Sequence, residues 1–232
     1  EDSFREMSEL GFNSVRFLLN YHWLEDDENP YVYKQEGFDY IDRSIAWAKK
    51  YNIGLVLNMH CPQGGYQSQG NGAALWTDQE NQRRLVKLWG EIARRYADEP
   101  AIQGYGLINE PVVPELGSAA ETVGQCQRLM QRCTDEIRRY DRNHIVFVEH
   151  VAAVKDMSTG ENLWNKYPID ELWFLIDDDN AVYEGHFYTP AVFTHQSAGD
   201  SVEYPKPCYV DNYLEYWVGS VSYTHLRAHA TV

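Results

Sequence analysis

The strongest constraint on this chain is an alternation. Short apolar runs are followed, again and again, by longer stretches whose apolar residues recur at helical spacing. Near-continuous apolar runs are what strands of a parallel sheet look like when both faces are buried, and parallel neighbours must be joined by a crossover, usually a helix. Five runs are predicted as strands: residues 13–18, 54–59, 102–108, 145–148 and 181–187. Four helical faces are predicted, one before the first strand and three between strands. The first is Phe4, Met7 and Leu10, stopped by Gly11. The second is Phe38, Ile41, Ile45 and Ala48. The third is Leu85, Leu88, Trp89, Ile92 and Tyr96, and the fourth is Cys126, Met130, Cys133, Ile137 and Tyr140. Thr77 with Glu80, and Ser118 with Glu121, have the spacing of capping boxes at helix starts. A Gly- and Gln-rich loop, residues 61–76, is long enough to suggest a functional role.

Repeated strand–helix units suit either an open doubly wound sheet or a closed barrel. No GxGxxG or P-loop follows any strand. Polar residues instead mark the C-terminal end of nearly every strand, the end at which barrels carry out catalysis. The predicted fold class is therefore α/β, a (β/α)8 TIM barrel. The 232 residues fit one domain.

Composition removes several classes of function. A formal net charge of -15 argues against nucleic acid, because phosphate binding needs an excess of Lys and Arg. No run of 18 apolar residues exists, so no membrane-spanning helix is expected. The four cysteines form no CxxC pair, which argues against a zinc knuckle. Cys126 and Cys133 share a predicted helix two turns apart, a rise of roughly 10 Å, too far for a disulfide. Aromatic residues make up 14% of the chain, enough either to fill a core or to line a cleft that stacks sugar rings.

The strand ends carry the chemistry. In order they offer Arg16, Asn20 and His22; Asn58 and His60; Asn109-Glu110-Pro111; Glu149 and His150; His186 and Tyr188. Any one of these taken alone is equally well a structural polar group, but five such ends at one barrel face are harder to explain that way. Asn109-Glu110 is the sharpest signal. A carboxylic acid can protonate a glycosidic oxygen as it leaves, and an adjacent amide can bind the sugar 2-hydroxyl, a contact that strengthens in the transition state. The structural alternative is a helix N-terminal Glu ahead of a proline turn.

With these residues on the page, the chain resembles glycoside hydrolase family 5, the cellulase family. The likeness rests on residues 10–16 (Leu-Gly-Phe-Asn-Ser-Val-Arg), 55–60 (Leu-Val-Leu-Asn-Met-His), 106–111 (Gly-Leu-Ile-Asn-Glu-Pro) and 186–188 (His-Phe-Tyr). Their order matches the second, third, fourth and sixth strands of that family's barrel, with residues 145–149 as the fifth. The resemblance spans residues 1–219 and implies a retaining hydrolase of β-linked glycans that needs no cofactor or metal. Glu110 would be the acid and then the base, and Asn109 would hold the 2-hydroxyl. Arg16 would orient the nucleophile, and His60 would bind sugar beside the cleaved bond. His186 and Tyr188 would position Glu110 and the nucleophile. His22 and Trp76 are candidate subsite residues, with packing as the equal alternative. The resemblance also implies a β-glycan or oligosaccharide partner, a monomer, and secretion.

Retaining enzymes need two carboxyl groups about 5–5.5 Å apart. The family's nucleophile is a Glu at the end of its seventh strand, and no such segment is found after Tyr188. Glu203 and Glu215 have no strand before them, and Glu149 receives no catalytic role from the resemblance. The first, seventh and eighth strands are expected to be missing, residues 220–232 to be a non-native tail, and the 232 residues alone to be inactive. Two alternatives compete: a carbohydrate-binding pseudoenzyme, and a metal-dependent barrel hydrolase using His60, His150 and His186.

Overall fold

The computed structural model describes residues 1–68 and 72–186. In chain order its elements are α1 (Asp2–Glu9), β1 (Ser14–Asn20), β2 (Glu25–Asp26), β3 (Asn29–Tyr33), α2 (Gln35–Tyr51), β4 (Gly54–Cys61) and α3 (Ala73–Thr77). Next come α4 (Gln79–Tyr96), β5 (Ile102–Gly106), β6 (Val112–Pro114), α5 (Ala119–Arg138), β7 (Ile145–Glu149), β8 (Ala153–Lys155), β9 (Asn162–Leu163) and β10 (Ala181–Glu184). The five expected strands are all present. They form one parallel sheet in the order β1-β4-β5-β7-β10. This is the TIM-barrel architecture, with five parallel strands among the described residues.

Alternation along the strands divides the molecule into two faces. Leu19, Leu55, Leu57, Met59, Tyr105, Val146 and Val148 point to the helix side and belong to the main core. The expected faces of α2 and α4 are buried against them, as are Cys126, Met130, Cys133 and Ile137 of α5. Residues one step out of phase, including Arg16, Asn58, His60, Glu149 and Glu184, lie on the other face. The register aligns Asn58 with Gly106, Gly106 with Phe147, and Glu149 with Glu184.

Gly106 permits a close approach at this level. A Cβ built there would come 2.4 Å from Asn58 Oδ1. On the helix side, the fully buried indole of Trp89 donates its Nε1–H to the Leu107 carbonyl at 3.1 Å. The backbone leading to Asn109 is thus held by α4 from one side and by its strand neighbours from the other.

Four sequence expectations need correction. Leu10 is 77% exposed, because α1 ends at Glu9 and the chain turns out through Gly11 at φ 87°. Thr77 does not cap α4. It closes α3, its hydroxyl bonded to the Ala73 carbonyl, and Asp78 caps α4 instead by accepting from the Glu80 N–H at 2.8 Å. Tyr140 is 44% exposed, because α5 stops at Arg138, before it. Just beyond, Asp141 accepts the N–H groups of Asn143 and His144 and sets a turn. The third predicted strand ends at Gly106 rather than at residue 108. The Ser118–Glu121 cap is present, with the Glu121 N–H donating to the Ser118 hydroxyl. Cys126 and Cys133 are free thiols. Residues 187–232, including Tyr188, Cys208, Glu203, Glu215 and the expected tail, lie outside the described residues.

The β2–β3 hairpin is pinned to α4 by a buried ion pair. Glu25 is fully buried and accepts from Arg84 Nε at 3.1 Å and from Gln63 Nε2 at 2.8 Å. Arg84 also donates to Asp27 at 2.8 Å. Removing one partner strands a buried charge, which is more costly than the pair is worth. Arg84→Ala is therefore expected to lower unfolding stability by about 3–5 kcal/mol, measured by urea titration of tryptophan fluorescence. A change below about 1 kcal/mol would mean that the pair is solvated.

Candidate active site

Strand ends bring five of the sequence-predicted residues to one hollow. Arg16 reaches from β1 across the mouth of the sheet. Its Nη1 donates to Asn109 Oδ1 at 2.8 Å, and its Nη2 donates to Glu149 Oε1 and, at 3.3 Å, to Glu184 Oε1. With Oδ1 occupied, the Asn109 amide is oriented so that Nδ2 is its remaining donor. Asn109 is itself anchored by its backbone N–H, which donates to the Met59 carbonyl at 3.0 Å.

Glu110 follows in a left-handed conformation, φ 44°, which is costly for a residue with a Cβ and precedes a proline. Its backbone N–H donates to Glu149 Oε2 at 2.6 Å, a charge-assisted bond that holds the strained turn. Its side chain accepts from His186 Nδ1 at 2.7 Å and is also hydrogen-bonded by Ser68. The other ring nitrogen, His186 Nε2, lies 3.2 Å from Glu149 Oε1.

Charge follows this geometry. The hydrogen bond from His186 holds the Glu110 carboxyl down at about 2, and burial only partly opposes it. His186 is pushed up to about 9, first by its bond to Glu110 and then by Glu149. Burial, followed by the nearby Arg16 charge, lowers the His60 imidazole, whose Nδ1 is buried without a partner among the described residues. Its ring meets Tyr66 edge-on at 5.8 Å. Burial raises Glu184.

The remaining candidates lie apart from this cluster. Trp76 is buried and its indole N–H is committed to Gln67 Oε1 at 2.6 Å. His22 stacks on Tyr21 at 3.9 Å and lines a separate surface groove with Trp23, Lys34 and Tyr40. Asn20 caps the short turn after β1. His150 bonds the Val151 carbonyl and packs against Trp173. No three His, Cys, Asp or Glu side chains among the described residues are grouped to hold a metal ion. The metal-dependent alternative thus has no ligand group there.

Two members of the cluster escaped the sequence reading. Glu149 was visible as a strand-end residue but had no role. Glu184 went unnoticed, although it sits two residues before His186 and so shares its face of the strand.

The strand ends of this parallel barrel gather three carboxylates, an amide, a guanidinium and two imidazoles, the site of a barrel enzyme at the C-terminal face of its strands. The chain belongs to glycosyl hydrolase family 5: the family model, cellulase, matches residues 1–225. Endoglucanase C of Acetivibrio thermocellus is 36% identical over 200 residues, covering 85% of this chain and 52% of that protein. Cellodextrinase A of Ruminococcus flavefaciens is 26% identical over 201 residues, covering 85% and 54%. The chain thus spans about half the length of the curated relatives it matches. Endo-glycoceramidase II from Rhodococcus sp. superposes with a TM-score of 0.71 over 96% of this chain and 58% of that one. At 22% identity, this likeness shows the fold.

The Glu110–His186 pair has a definite pH window. The raised imidazole contributes stability that is fully present below its unfolded value of 6.5 and lost as pH climbs through about 9. The depressed carboxyl contributes above its unfolded value of 4.5 and is lost as pH falls through about 2. Both contributions are complete between 4.5 and 6.5. NMR titration of the His186 ring should show a midpoint well above the ordinary histidine value. A midpoint at or below 6.5 would contradict the pairing.

Proposed function

We propose that this chain supplies the acid/base half of a retaining β-glycan hydrolase of the endoglucanase type. The observation that carries the reading is the Asn109–Glu110 unit at the strand ends, with Asn109 oriented by Arg16 and Glu110 bonded to His186. In the first step Glu110 protonates the departing glycosidic oxygen while a second carboxylate attacks the anomeric carbon. In the next, Glu110 takes a proton from water, and that water releases the sugar. Asn109 Nδ2 binds the sugar 2-hydroxyl, and neutral His60 contributes to the subsite beside the cleaved bond. Tyr188 keeps the role that the resemblance implies, whereas His22 and Trp76, which lie apart from the cluster, are assigned no role in it.

Glu149 is not read as the attacking group. Its side chain is 4% exposed, and its two oxygens are engaged by Arg16, the Glu110 N–H and His186. The nucleophile is placed beyond the described residues, and the 232 residues alone are proposed to turn over no glycan. Endoglucanase-named relatives at 36% identity support a β-glucan as substrate. We further propose a secreted, monomeric enzyme of polysaccharide breakdown, as the family resemblance implies. No helix among the described residues is long and apolar enough to cross a membrane.

The acid role gives a leaving-group test. In the full-length protein, Glu110→Ala should cut cleavage of unactivated β-glucan by about 10²–10⁴-fold. Aryl glycosides with acidic leaving groups need little protonation, so their first step should be spared. Equal losses on both substrates, or none, would contradict the assignment. Retaining turnover of a soluble β-glucan by the 232 residues alone would refute their proposed inactivity.

A further inference from the structure

We propose that Glu149 is a positioning residue for a proton relay between His186 and Glu110. The inference rests on the acid/base role of Glu110 and assigns a task to a carboxylate that role leaves unused.

The geometry is that of an imidazole held between two carboxylates. His186 Nδ1 faces Glu110 Oε1 at 2.7 Å, and Nε2 faces Glu149 Oε1 at 3.2 Å. The two carboxylates are not equivalent. Glu110 lies toward the opening, its side chain 17% exposed, and Glu149 lies behind it at 4%. Glu149 is also pinned by Arg16 and by the Glu110 backbone N–H, so its oxygens are fixed relative to the reacting carboxyl. A carboxylate fixed behind an imidazole sets which ring nitrogen keeps its proton, the arrangement that orients histidine in hydrolytic triads.

The chemistry answers a difficulty. A general acid must carry a proton, yet in the resting cluster the proton lies on His186, leaving Glu110 ionised. The relay moves it. The His186 Nδ1–H bond breaks as a Glu110 Oε1–H bond forms, leaving a neutral imidazole whose Nε2–H still donates to Glu149. Glu110 then passes that proton to the departing oxygen. In the second step Glu110 takes a proton from water and can return it to Nδ1, which restores the imidazolium. No proton is gained or lost over the cycle, and Glu149 exchanges none.

Among the described residues, the titratable groups that interact with His186 include His60 on β4, Glu110 after β5, Glu149 and His150 at the end of β7, and Glu184 on β10, while Arg16 on β1 bonds both Glu149 and Glu184. Glu149 is the one that combines a contact to the ring with a contact to the backbone of Glu110. Removing its charge weakens the hold on the His186 proton, so the basic limb of the activity profile must move to lower pH.

Three variants separate the possibilities in the full-length protein: Glu149→Gln, Glu110→Gln and the parent. Glu149→Gln keeps the shape and an oxygen acceptor but removes the charge. On the basic limb it should lower kcat about tenfold, the equivalent of one decade in proton affinity, with KM little changed. The basic limb and the His186 NMR titration should both move acid-ward by about a decade. An independent readout uses the unaltered protein. Ring ¹⁵N shifts should show that, once His186 loses its first proton, the one retained is on Nε2.

A retained proton on Nδ1 overturns the relay. So does a Glu149→Gln protein whose kcat, pH profile and His186 titration match the parent. Full activity in Glu110→Gln would instead overturn the acid/base reading itself. Loss in Glu110→Gln beside an unaffected Glu149→Gln would sink only the relay.

Discussion

One guanidinium organises this end of the sheet. Arg16 starts on an outer strand and donates to side chains from the loop after β5 and from the ends of β7 and β10. A cation at the centre makes it possible for Glu149 and Glu184 to sit close together, because each charge is offset by a shared partner. Were Arg16 absent, the buried carboxylate of Glu149, the partly buried one of Glu184 and a half-satisfied amide would face one another. The orientation of Asn109 follows from that fixed centre, and Glu149, held by the same guanidinium, in turn bonds the Glu110 N–H and faces His186.

Strain is the second theme. Glu110 occupies a region of backbone space that few residues with a Cβ adopt, and it does so immediately before a proline. The turn is restrained by the Glu149 contact to its N–H, by the Asn109 N–H to the Met59 carbonyl, and by Trp89 on the Leu107 carbonyl. Each restraint comes from a different element. A reacting carboxyl held this way does not have to be collected from solvent when substrate arrives, the physical content of preorganisation.

Much of the fold was legible because burial writes itself into sequence period. Runs such as Leu55-Val56-Leu57 can only be covered on both faces, and Leu85, Leu88, Trp89 and Ile92 can only form a helix stripe. Element ends were less legible. Thr77 and Asp78 are both good caps, and only the intervening short helix decides between them. Tyr140 continues a helical stripe on paper, but Asp141 stops the helix with its own side chain. In the site, Asn109-Glu110 was legible because its chemistry is specific. The pairing of Glu149 with His186 was not, since it joins residues 37 positions apart in sequence at the ends of neighbouring strands, a relation that only register reveals.

The account stands on the strand ends forming one sugar-binding mouth. Its most direct test is a crystal structure of the chain with a bound cello-oligosaccharide. The account predicts a pyranose ring whose 2-hydroxyl lies within hydrogen-bond distance of Asn109 Nδ2, with the next glycosidic oxygen facing Glu110. Sugar bound elsewhere on the molecule, with this hollow left empty, would contradict it.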